Sequence, residues 1–157
     1  MILWIERDFE ASIKFIKKAI RIDGLNSEYW LTLGKINKDD NNKVNAISAL
    51  KKAAKIEPEN VEIWFTWVEL FLKFGEPENA VHILRKGIIK NSDVILKYRM
   101  AALLFELKMQ EEAFQQLAIA LIQNAGELDF LFEFNPRLKN NKKIRKMVAD
   151  FKLVNFI

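Results

Sequence analysis

The feature that most constrains this chain is a period. Trp30 and Trp64 stand 34 residues apart, as do Ala46 and Ala80, and Ala113 follows 33 later. Ala19 and Ala53 are again 34 apart, with Gly87 and Ala120 continuing the series at 34 and 33. The run "KKAIRIDGLNSEYW" returns as "KKAAKIEPENVEIW". Self-similarity at this interval implies a stack of like units, each burying its apolar face on the next.

Each unit reads as two amphipathic helices. Trp30, Leu33, Gly34 and Asn37 have the i, i+3, i+4, i+7 spacing of one helix face. A polar turn, "KDDNN", follows, and Ala46, Leu50 and Ala53 form the seam of a second helix that Pro58 closes. The next unit repeats the scheme with Trp64, Trp67, Val68 and Phe71, the turn "FGEPEN", then Ala80, Leu84 and Gly87. Gly75 suits a left-handed helix end and Pro77 a first helical turn. "SDVILKYRMAALLFEL", capped by Ser92 or Asp93, and "EEAFQQLAIALIQN" make a further pair. With only 5 glycines and 3 prolines in 157 residues, breakers are few and strand alternation never runs far. The fold class is therefore all-α.

The pattern resembles the tetratricopeptide repeat (TPR). Trp30, Leu33, Gly34, Ala46, Leu50, Ala53 and Pro58 carry the likeness in one unit, and Trp64, Phe71, Ala80 and Leu84 in the next. The resemblance implies an α-α superhelix of antiparallel helix pairs. Its expected divisions are a partial first unit over 1–26, units over 27–60, 61–93 and 94–126, and an atypical capping unit over 127–157. Lys97 stands where tryptophan is expected, and Ala125 replaces the closing proline. At the front, "MILWIER" falls inside a first helix rather than at its start. This reads as an uncapped edge, in a fragment of a longer array or a surface for pairing copies into a homo-oligomer. At the far end, Ile144, Met147, Val148 and Phe151 share one face of a final helix, which closes the stack.

Catalysis finds little footing. The chain has no cysteine and a single histidine, His82, so thiolate sites are excluded and a metal site or nucleophilic relay lacks its usual partners. No catalytic residue, metal or cofactor is expected. "MILWIERDFE" lacks the parts of a signal peptide, and no apolar run approaches the roughly 20 residues that span a bilayer. No membrane insertion is expected, and a cytoplasmic location suits a cysteine-free chain.

The resemblance implies a non-enzymatic scaffold whose first helices line a concave groove for an extended peptide or helix of a partner. Leu31, Phe65, Tyr98 and Phe105 are the expected apolar anchors, and Lys35, Glu69, Lys73 and Arg99 the flanking charges. The alternative is that "LDFLFEF", or a neighbouring chain, fills this row as ordinary core. Some family members grip acidic chaperone tails with a Lys, Asn and Arg cluster; Leu31, Lys35 and Thr66 do not reproduce it, and only Arg99 matches in charge. Residues 137–157 hold seven Lys/Arg against one acid, a local +6 beside +4 for the whole chain. Nucleic acid is thus a rival partner, but no aromatic interleaves with these charges, and a solvated helix face is the plainer reading.

Overall fold

The computed structural model describes residues 8–155. The expectations for "MILWIER" lie outside them. The described residues form nine α-helices and no strand: α1 (Phe9–Ile22), α2 (Ser27–Asp39), α3 (Lys43–Ile56), α4 (Val61–Lys73), α5 (Pro77–Lys90), α6 (Val94–Glu106), α7 (Gln110–Asn124), α8 (Asp129–Phe134) and α9 (Lys142–Asn155). Short 3-10 turns occupy Ala125–Glu127 and Pro136–Asn140. The chain divides into two compact units, Met1–Ala80 and Val81–Ile157.

Helix boundaries follow from side chains that recur with the period. Asn26, Asn60 and Asp93 precede α2, α4 and α6, and each side chain accepts a hydrogen bond from the backbone N–H two residues on. Orphan N–H groups at a helix start are satisfied in this way. The same helices stop alike. Asn41, Gly75 and Lys108 each take positive φ, at 60°, 69° and 62°. The next N–H then reaches back across the turn, from Asn42 to Asn37 O, Glu76 to Phe71 O and Met109 to Leu104 O, at 2.8–2.9 Å. This closure satisfies the last carbonyls and turns the chain sharply into the partner helix. Glycine and asparagine suit the position; a lysine with its Cβ does not.

In the first unit α2 packs along α3, with α1 and α4 against them. Ala46, Leu50 and Ala53 on α3 are fully buried. A Cβ built on Gly34 would stand 2.8 Å from Leu50 Cγ and Cδ2, so the glycine lets the two helices approach. Trp64 and Trp67 on α4 stack with centroids 6.2 Å apart and planes at 11°, and both are buried. Two tryptophans also tie each helix start to the turn before it: Trp30 Nε1–H donates to Gly24 O and Trp64 Nε1–H to Pro58 O, both at 2.8 Å.

The second unit pairs α6 with α7 in the same manner, with Ala101, Ala113, Leu117 and Ala120 buried between them. Lys97, which replaces the tryptophan, holds the equivalent joint differently. Its ammonium donates to Gln123 Oε1, and Gln123 Nε2 donates to Ser92 O at 2.5 Å. A polar relay stands in for an indole. Leu131 of α8, Leu138 and Ile144 of α9 join the core, with Met147, Val148 and Phe151 packed against it. The predicted apolar face of the capping helix is the face that packs.

Two stability predictions follow from these details. Lys108→Gly relieves a left-handed lysine and should raise the unfolding free energy by about 1 kcal/mol in urea titration. Trp64→Phe loses a hydrogen bond worth about 1 kcal/mol. The buried Trp67 Nε1–H has no hydrogen-bond partner. Trp67→Phe should therefore cost less than Trp64→Phe in the same measurement.

Candidate functional site

The residues expected to face a partner lie on α2 and α4 in the first unit and on α6 in the second. Each unit treats them in its own way.

On the first unit, Leu31 is fully buried and belongs to the core. Phe65 is half-buried one residue along from Trp64. The charged residues around it bridge α2 and α4. Lys35 Nζ lies 2.5 Å from Glu62 Oε1, and Lys38 Nζ lies 2.6 Å from Glu69 Oε2. Lys73 Nζ donates to Lys38 O at 2.5 Å, placing a cation at the carbonyl end of α2, where the helix dipole favours it. Asn60 Nδ2 donates to Glu28 Oε1 at 3.2 Å. These contacts form a polar ladder along the face. Its members are mostly exposed, so each pair contributes only about 0–1 kcal/mol and can be exchanged for another partner. Lys38 is a rung that spacing alone did not single out, because it sits one turn beyond Lys35 toward the helix end.

Two acidic residues beside this strip serve the scaffold. Glu57 accepts from Ser27 Oγ and from Asn60 Nδ2, and the Ser27 hydroxyl first, then Asn60, holds its carboxyl below the ordinary range. Hydrogen bonds from Lys43 and then Asn79 do the same for Glu76.

On the second unit the expected face is occupied by the chain itself. Tyr98 is fully buried, and its hydroxyl donates to Asn124 O at 2.9 Å. Burial, and then the negative charge of Glu127, push its phenol up to about 12. The Arg99 guanidinium lies 4.9 Å from the centroid of the Phe134 ring, a cation–π contact. Phe105 meets Phe114 edge-on, with centroids 5.0 Å apart. α8 lies along α6, with Leu131 fully buried and Phe130 and Phe134 stacked at 6.3 Å. The "LDFLFEF" segment thus packs along α6, which is the part of the row that lies in this unit. Of the three residues of α6 expected to anchor a partner, Arg99 contacts α8, Tyr98 bonds to the end of α7 and Phe105 meets Phe114 of α7.

His82 is exposed on α5. Among the described residues no group of three His, Cys, Asp or Glu side chains comes together to hold a metal ion. No helix among them is long and apolar enough to cross a membrane.

Known proteins carry related architecture. The tetratricopeptide repeat family model matches residues 27–60, the stretch that holds α2 and α3. Among solved structures, a crystal structure of MamA superposes with a TM-score of 0.61 at 20% identity, covering 92% of this chain and 84% of that one. A second MamA structure gives 0.59 at 20%, with 92% and 83% covered. YrrB, described as a TPR protein with an unusual peptide-binding site, gives 0.57 at 20%, with 92% and 76% covered. No curated protein matches the sequence. Residues 27–60 thus match a tetratricopeptide repeat, and the chain has the all-α fold of antiparallel helix pairs that these solved structures share.

The raised phenol of Tyr98 makes a signed prediction. Below pH about 10, the ordinary tyrosine value, both folded and unfolded chains keep the proton. Between there and the folded value of about 12 only the unfolded chain loses it, so stability falls as pH rises through this window. Tyr98→Phe should flatten that fall. At neutral pH it should cost about 1 kcal/mol through the lost hydrogen bond, read by urea unfolding across the pH series.

Proposed function

We propose that the protein is a non-enzymatic interaction scaffold that holds an extended peptide or a helix of a partner protein on the inner face of its helix pairs. The observation that carries this reading is α8. A short amphipathic segment with aromatic and acidic residues already seats on the face of α6, stacking on Arg99 and burying Leu131. A helix face of this kind therefore takes a peptide-like segment. The fold adds support, and so does the peptide-binding site of YrrB, a protein of the same fold.

On the first unit the docking set is Phe65 as the apolar contact, with Lys35, Glu69 and Lys73 around it. The mechanism is passive. A partner's carboxylates take over the lysines, its cations take over Glu62 and Glu69, and an apolar side chain rests on Phe65. Exchange of exposed ion pairs costs little, so specificity rests on fit and charge order rather than on net electrostatic gain. Leu31 and Tyr98 support these helices from within the core. Arg99 becomes available to a partner where its contact with Phe134 of α8 is released.

The test uses a partner recovered with the full chain and reduced to its binding peptide. Phe65→Ala should weaken that peptide at least about tenfold, in the range of an interface hot spot, with the helical circular dichroism signal unchanged. Amide shifts on titration should fall on Thr32, Phe65 and Glu69. Shifts confined to Lys51 and Lys55 on α3 would place docking on the other face and defeat the reading.

A further inference from the structure

The charge of this protein is gathered at one end. Residues 137–157 sum to +6, so the preceding 136 residues sum to −2. In the rest of the chain Lys35, Lys38, Lys43 and Arg85 each pair with a glutamate. On α9 and the turn before it, Arg137, Lys139, Lys142, Lys143 and Lys146 are exposed, and among the described residues none meets a carboxylate. Arg145 is held by Lys139 O and Asn140 Oδ1 at 3.0 and 3.1 Å, which fixes the helix start against the preceding turn. The single acid of this end, Asp150, is exposed among them.

The same outer surface carries aliphatic side chains. Leu153 and Val154 are each 75% exposed. They follow Lys142 and Lys143 by eleven residues, about three helical turns, so each stands on the same side of α9 as its lysine. The core-facing side is separate: Ile144 is buried, and Met147, Val148 and Phe151 pack with it. α9 is thus apolar where it caps the fold, and basic with an aliphatic end where it meets solvent.

We propose that this outer face docks peripherally on an anionic bilayer surface. The lysines would sit among lipid phosphates and carboxylates, while Leu153 and Val154 enter the boundary between headgroups and chains. Neither requires α9 to leave the core. Clusters of this size on an amphipathic helix bind acidic lipid at about 1 kcal/mol per cation, and exposed aliphatics add to that in a bilayer alone. A nucleic acid would use the lysines but leave Leu153 and Val154 without a role. The one aromatic of the described part of α9, Phe151, is packed on the core and offers no stacking platform.

The experiment is co-sedimentation of the full chain with phosphatidylcholine vesicles, with and without about one quarter phosphatidylserine. The chain should bind only the anionic vesicles, and added salt should weaken binding. Lys142→Gln with Lys146→Gln should reduce affinity about thirtyfold, and the corresponding double change to Arg should retain it. Leu153→Ser with Val154→Ser should reduce it about tenfold. These side chains are exposed, so the helical signal should stay intact. Failure to bind anionic vesicles at low salt would overturn the proposal. So would binding that ignores the serine substitutions, or duplex RNA that competes the chain off the vesicles; the latter would assign the face to nucleic acid instead.

Discussion

The close approach of helices within a pair is the constraint on which the other features depend. Where Gly34 meets Leu50, a single Cβ would fall 2.8 Å from the leucine side chain. With glycine there, the α3 seam of Ala46, Leu50 and Ala53 is sealed from solvent. Small residues at the seam free van der Waals area for the large ones beside it, because a packed interior tolerates neither a void nor an extra carbon. α6 and α7 reach the same end with Ala101 opposite Ala113, Leu117 and Ala120, all fully buried. A tight seam fixes where each helix must stop, so the caps and turns recur at the same interval.

Those recurring ends show local chemistry serving a tertiary demand. Asn26, Asn60 and Asp93 begin helices, and Asn41, Gly75 and Lys108 end them in left-handed turns. The demand persists where the ideal residue does not. Lys108 adopts the strained conformation because both helices of its pair are already held by their core contacts. The Lys97–Gln123–Ser92 relay shows the same logic, replacing the indole-to-carbonyl bond made by Trp30 and Trp64.

The inner faces show why a site is harder to infer than a fold. Helical spacing placed Leu31, Phe65, Tyr98 and Phe105 on related faces, but spacing does not reveal what packs on a face. Leu31 and Tyr98 are enclosed completely, and Phe105 meets Phe114. The charges around Phe65 engage each other across α2 and α4. On the docking strip we propose, a ladder of this kind would let charge pattern rather than bulk attraction select what replaces it.

The sequence by itself determined the period, the helix pairs, the helix ends at Asp93 and Gly75 and the apolar side of α9. These properties rest on local geometry: 3.6 residues per turn, the needs of orphan backbone groups, and the exclusion of Cβ from tight seams. Tertiary structure alone decided that α8 lies on α6, that Arg99 spends its charge on the Phe134 ring, and that Lys35 and Lys38 answer Glu62 and Glu69. Such pairings join residues distant along the chain. Their choice depends on which apolar segment reaches a face first in space, information that residue type and spacing do not contain.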